Sequence, residues 1–193
     1  DRVGKKILST GNGRGNLTNY KMEEDCYRCG RKDFPMQVIR GFDVKETLDL
    51  FMGLGIVPKD RNGYVYPNSD QAASVLDVLR TELERLKVRI LLSCQIEKIE
   101  KKKNGGFLVH TDQGKVETDA LILAAGSKAA PSTGSDGSGY EYARQLGHSV
   151  IKPLPALVQL RCQGNLYKQM AGIRTEAEVR LQADGITLAS DRG

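Results

Sequence analysis

Residues 70–92 set an amphipathic helix directly before a short run of dense hydrophobicity, and few folds accept that pairing. Val75, Leu79, Leu83 and Leu86 step by four, four and three residues, the spacing of one buried helical stripe. "VRILL" follows at 88–92. Such density suits an interior parallel strand covered on both faces, and a helix feeding such a strand is half of a βαβ unit. A second run, "ALILAAG" at 120–126, has the same character and leads into a loop at 127–138 rich in Gly and Ser. The two runs predict an α/β fold.

The elements around them follow from local signals. Asp43 and Glu46 form a D-x-x-E capping box ahead of Val44, Leu48, Phe51 and Met52, so a helix is expected over 43–53, ending at Gly53 and Gly55. "GYVYP" at 63–67 is extended, and Asn68 or Ser69 is placed to cap the helix that runs to about Leu86. Three β-rich runs at 95–100, 107–111 and 115–118 are separated by short Gly-bearing turns, which predicts an antiparallel meander. A short helix over 140–146 stops at Gly147. Beyond Pro153 the texture changes, with strands expected at 157–161, 178–182 and 186–189. The predicted domains are 1–152, containing the meander at about 95–118, and 153–193, the beginning of a β-rich domain.

The net charge of +5 invites a nucleic-acid reading. Acids and bases are interleaved at Glu84-Arg85, Glu97-Lys98 and Glu100-Lys101, and the one basic run, 101–103, adjoins the turn Asn104-Gly105-Gly106. Aromatics make up only 6%, so no nucleic-acid partner is expected. No apolar run reaches the ~18 residues that span a bilayer, so no membrane segment is expected. Four cysteines are too few and scattered for a disulfide framework. Cys26 and Cys29 form a C-x-x-C without the second pair a structural zinc site needs, so no metal is expected. They read as reduced thiols, which points to the cytoplasm.

The stretch "STGNGRGNLTN" at 9–19 has the look of a binding loop but meets neither standard phosphate-loop pattern. It lacks the G-x-x-x-x-G-K-[ST] of a P-loop, and Asn16 occupies the third glycine position of a dinucleotide fingerprint. Its glycines still allow backbone amides and Arg14 to approach an anion. Ala124, Ala125 and Gly126 form a second candidate site, because ligands of open α/β sheets sit at the carboxyl ends of strands. His110 and His148 read as surface or packing residues, and no nucleophile–base arrangement is present, so no catalytic residue is assigned.

"KKILSTGNGRGNLTN" (5–19), "YVYPNSDQAASVLDVL" (64–79), "ALILAAGSKAAPSTGSDGSGYEYARQLGH" (120–148) and "PLPALVQL" (153–160) occur in the order typical of one group. They resemble the BaiN-like, or aminoacetone-oxidase-like, family of bacterial NAD(P)/FAD-dependent flavoproteins. The resemblance implies a partial FAD/NAD(P)-binding Rossmann-like domain interrupted by a β-rich insert. It implies FAD as cofactor, NAD(P)H as a co-substrate and a small-molecule substrate. It further implies cofactor contacts at Thr10, Gly11, Gly13, Arg14, Asn16 and Thr18, at Ile96 (whose backbone is expected to meet the adenine), and at Ala124, Ala125 and Gly126. Gly15 stands where the family usually has Cys, and Ser127 replaces a common second Gly.

The chain opens on Asp1, and the family's G-x-G-x-x-G turn and C-terminal FAD segment have no counterpart in it. The expectation is therefore the central section of an FAD-dependent oxidoreductase, inactive as a segment. The rival is a non-catalytic binding module derived from a flavoprotein fold.

Overall fold

The computed structural model describes residues 3–155, 163–173 and 175–192. The chain divides into two compact units, Asp1–Lys152 and Pro153–Gly193.

The first unit opens with 3-10 turns over Ile7–Gly13, then the two-residue strand β1 (Thr18–Asn19). An exposed excursion carrying the helix α1 (Phe34–Ile39) leads to α2 (Val44–Gly53). The capping box of α2 forms as the sequence requires. The Asp43 carboxylate accepts the Glu46 amide at 2.9 Å, and the Glu46 carboxylate accepts the Asp43 amide at 2.8 Å.

Next come β2 (Pro58–Arg61) and β3 (Tyr64–Pro67), an antiparallel hairpin with Asp60 opposite Val65. Its turn residues Asn62 and Gly63 both take positive φ, 54° and 89°, the twist that tight hairpins prefer. β1 adds to the other edge of β3, pairing Thr18 with Val65, so the order is β1-β3-β2.

The helix α3 (Ala72–Arg85) follows. It begins later than the expected caps allow, because Asp70 takes φ 52° and breaks the helical path. Gln71 is the N-cap and gives no side-chain bond, while Ser69 accepts the Gln71 amide at 3.3 Å. The core beside this sheet is Leu48 from α2, Ile56, Val65 from β3, and Ala72, Val75 and Leu76 from α3. Val65 is 0% exposed. Burying a side chain the size of Leu76 stabilises by about 2 kcal/mol.

The meander forms as expected. β4 (Ile96–Lys101), β5 (Phe107–Thr111) and β6 (Gly114–Thr118) pair antiparallel in sequence order. Ile99 and Val109 are opposite each other and buried on one face. Lys98, Glu100 and His110 form a hydrogen-bonded row, with Glu100 2.5 Å from Lys98 and 2.8 Å from His110. The helix α4 (Ser138–Gln145) packs on β4 and ends ahead of Gly147.

Two expectations are overturned. Residues 88–92 are not a strand, and Val88, Ile90, Leu91 and Leu92 are exposed. Residues 120–126 are not a strand either, and Ile122 is 90% exposed. A parallel strand is held by hydrogen bonds to neighbours along its edges, and among the described residues nothing pairs with either run. Every described strand pairing is antiparallel.

In the second unit, the one-turn helix α5 (Leu166–Gln169) precedes β7 (Glu178–Ala183) and β8 (Ile186–Arg192). These two form a hairpin turning at Asp184 and Gly185. The strand expected at 157–161 lies outside the described residues.

Candidate functional site

The glycine loop is wound tightly on itself. Gly11, Asn12, Gly13 and Gly15 all take positive φ. The Arg14 amide donates to Gly11 O at 3.1 Å, and the Gly15 amide donates to Thr10 O at 2.9 Å. The Leu17 amide donates to Val65 O at 2.8 Å. These three amides therefore bond within the loop and to its seat on β3. The Asn16 side-chain amide likewise donates to Thr18 O at 3.2 Å and Val65 O at 3.1 Å.

Close packing accounts for two of the glycines. A Cβ on Gly15 would lie 2.9 Å from Ala72 Cα and 3.2 Å from Val75 Cγ2, so the loop backbone rests directly on the first turn of α3. A Cβ on Gly11 would lie 2.8 Å from the Asn16 nitrogen. Thr18 is buried in β1, and Thr10 donates its hydroxyl to Lys6 O at 3.3 Å. Arg14 is half-buried and makes no ion pair among the described residues.

The other sequence-predicted residues converge elsewhere. Ile96 and Ala125 line one cleft of about 550 Å³ with Leu91, Leu92 and Tyr142. Ala124, Ala125 and Gly126 line an adjoining cleft of about 480 Å³ with Lys6, Ser127 and Ser135. The two clefts share Ala125, Thr133 and Gly134. Gly126 takes φ 76°, and a Cβ there would meet Ser135 Cβ at 2.9 Å, so a glycine lets the two chain segments touch. Of the loop residues Thr10, Gly11, Gly13, Arg14, Asn16 and Thr18, none lines either cleft. The N-terminal segment reaches the clefts through Lys5 and Lys6.

The clefts differ in charge. The first carries Asp112 and Asp136 beside Lys5, whereas the second carries Lys6 and serine hydroxyls and no carboxylate. The Ser138 backbone amide bonds Asp136 at 2.9 Å and holds its carboxyl below the usual range. Lys6, Ser135 and Tyr142 were missed by sequence reasoning. The lysine pair directly ahead of the glycine loop was the available signal, and Tyr142 had none.

Helices and antiparallel sheets around a glycine-bordered double cleft are consistent with an α/β protein. Comparison with known proteins makes this specific. The profile described as HI0933-like protein Rossmann domain matches residues 1–188, and the chain belongs to that family. Over 193 residues it is 45% identical to a 3-dehydro-bile acid delta(4,6)-reductase of Clostridium scindens, covering all of this chain and 47% of that protein. It is 27% identical over 170 residues to a ribosomal RNA dihydrouridine synthase of Escherichia coli, covering 88% of this chain and 42% of that protein. Against the ribosomal RNA dihydrouridine synthase of Haemophilus influenzae it is 25% identical over 161 residues, covering 81% of this chain and 40% of that protein. The chain thus spans a little under half the length of these relatives.

Proposed function

We propose that this chain is the dinucleotide-binding part of an FAD-dependent oxidoreductase that reduces a small organic substrate with NAD(P)H as hydride donor. The observation that carries the reading is the 45% identity, over the whole chain, to a protein named as a reductase. The double cleft supports it, since residues 30 positions apart, Ile96 and Gly126, border adjoining spaces of ligand size.

The residues fit a dinucleotide. The Lys6 ammonium and the hydroxyls of Ser127 and Ser135 would face its anionic part across Gly126, where no Cβ keeps the ligand away from the backbone. Leu91, Leu92 and Ile96 would cover an apolar face of the ligand and exclude water. Arg14, whose guanidinium has no acidic partner among the described residues, supplies positive charge on the loop. Bound flavin would supply the hydride acceptor and donor. No described side chain is assigned the proton transfer.

A small-molecule substrate is preferred to RNA for two reasons. The identity to the reductase exceeds that to the RNA-modifying relatives. Lys98, Lys102 and Arg85 are paired with Glu100, Glu117 and Glu82, so these three cations are already neutralised within the chain. The free thiols Cys26, Cys29 and Cys94 suit a reducing compartment, so the proposed location is the cytoplasm. No helix among the described residues is long and apolar enough to cross a membrane.

The test is to purify the complete polypeptide, identify its chromophore and add NAD(P)H without oxygen. Bound FAD that bleaches on addition supports the reading. A colourless protein that takes up no flavin on reconstitution refutes it and favours the rival, a binding module without redox activity.

A further inference from the structure

We infer that Tyr142 is a positioning residue for the adenosine half of the dinucleotide, acting through the backbone of Ile96. The inference rests on the flavin dinucleotide reading above.

The Tyr142 hydroxyl donates to Ile96 O at 2.5 Å, across 46 residues of sequence. Ile96 is the first residue of β4, and the strand register shifts between Ile96 and Lys98. On its other side the chain is fixed by a reciprocal pair. The Gln95 amide donates to Asp112 Oδ1 at 2.9 Å, and the Asp112 amide donates to Gln95 O at 3.1 Å. Ile96 is paired with Thr111 at this end of the sheet, and the tyrosine adds a second hold on the Ile96 carbonyl from the cleft side. The same helix sets the opposite wall. A Cβ on Gly139 would lie 3.1 Å from Ala125 Cβ, so α4 lies against the segment that ends at Gly126. One helix thus holds Ile96 and Ala125, the two walls of the first cleft.

Charge assigns the ligand half. Asp112 and Asp136 outnumber Lys5 in the first cleft, and carboxylates repel phosphate. An uncharged base and ribose are compatible with that lining, with Leu91, Leu92 and Ile96 as apolar cover and the aspartates as acceptors for ribose hydroxyls. The phosphates are directed to the neighbouring cleft, which holds Lys6 and no carboxylate.

The experiment uses the complete polypeptide carrying Tyr142→Phe, with FAD, ADP and FMN titrated separately. Losing one orienting hydrogen bond is expected to weaken FAD and ADP binding about three- to tenfold. FMN, which lacks adenosine, is expected to bind as to the wild type. Glu141→Gln, on the adjacent exposed position, is expected to change none of the three. Equal weakening of FAD and FMN shows a general structural role and overturns the inference, as does unchanged FAD and ADP affinity. Wild-type protein that binds neither FAD nor ADP refutes the flavin reading itself, and the role of Tyr142 with it.

Discussion

Asn16 was expected to contact cofactor, yet its side-chain amide is fully engaged inside the fold. It bridges Thr18 O and Val65 O at 3.2 and 3.1 Å, and Val65 lies at the centre of the sheet and of the core. Asn16→Ala removes both bonds. At about 0.5–1.5 kcal/mol each, the expected loss is about 1–3 kcal/mol. Asn16→Asp is expected to be worse, because a carboxylate would face two carbonyl oxygens with no proton to share. Leaving those groups unpaired adds roughly another 1–3 kcal/mol. Because the site disfavours the carboxylate, the introduced carboxyl group gains its proton above the ordinary value of about 3.9 and can then donate once, so N16D should move toward N16A as the pH falls toward that value. Hydrogen exchange of the Leu17 and Gly15 amides reads the effect locally, because both lie in the hydrogen-bonded loop that Asn16 staples to β3. A loss of 1–3 kcal/mol corresponds to roughly 5- to 160-fold faster exchange in N16A. Unchanged exchange in both variants, together with weakened flavin binding by the complete polypeptide, would refute the structural role and restore Asn16 as a ligand contact.

Two further predictions follow from the same unit. Gly15→Ala and Gly13→Ala share a backbone penalty of about 1–2 kcal/mol, since both glycines have positive φ. Only Gly15 adds a collision with Ala72, while a Cβ on Gly13 meets nothing nearer than Leu8 O at 3.8 Å. G15A should therefore lose about 1–3 kcal/mol more than G13A in urea denaturation, and equal losses would contradict the packing. Asp70 is held below the usual carboxylate range by hydrogen bonds from Lys59 at 3.1 Å and Arg61 at 2.5 Å. Its contribution is present above a pH of about 3.9 and is lost as the pH falls through the lower folded value. Asp70→Asn should flatten that part of the stability–pH curve, and an unchanged acid limb would count against the pairing.

The sequence was most legible where local chemistry decides the outcome. Asp43 and Glu46 announce α2, the Val75 stripe announces α3, and Gly-bearing turns announce the meander, because caps, periodicity and turns act over a few residues. The runs 88–92 and 120–126 were legible as apolar but not as irregular. Density of hydrophobic residues reports a need for burial, and whether it is met depends on strands brought from elsewhere. Asp70 moved the start of α3 past Asn68 and Ser69, since a single left-handed residue outweighs a good capping side chain. At the site, the convergence of Ile96 with Ala125 was legible only through family resemblance. The role of Asn16 and the amides of Arg14 and Gly15 was not legible at all, because the same residue types serve a ligand loop and a self-bonded one. Gly15 has a physical explanation in its contact with α3.

Hydrogen exchange of the complete polypeptide with and without FAD tests the central claim most directly, because it reports both binding and place. Slower exchange on FAD addition is expected at residues 91–96 and 124–138, the walls of the double cleft. FAD bound without protection of those segments would contradict it.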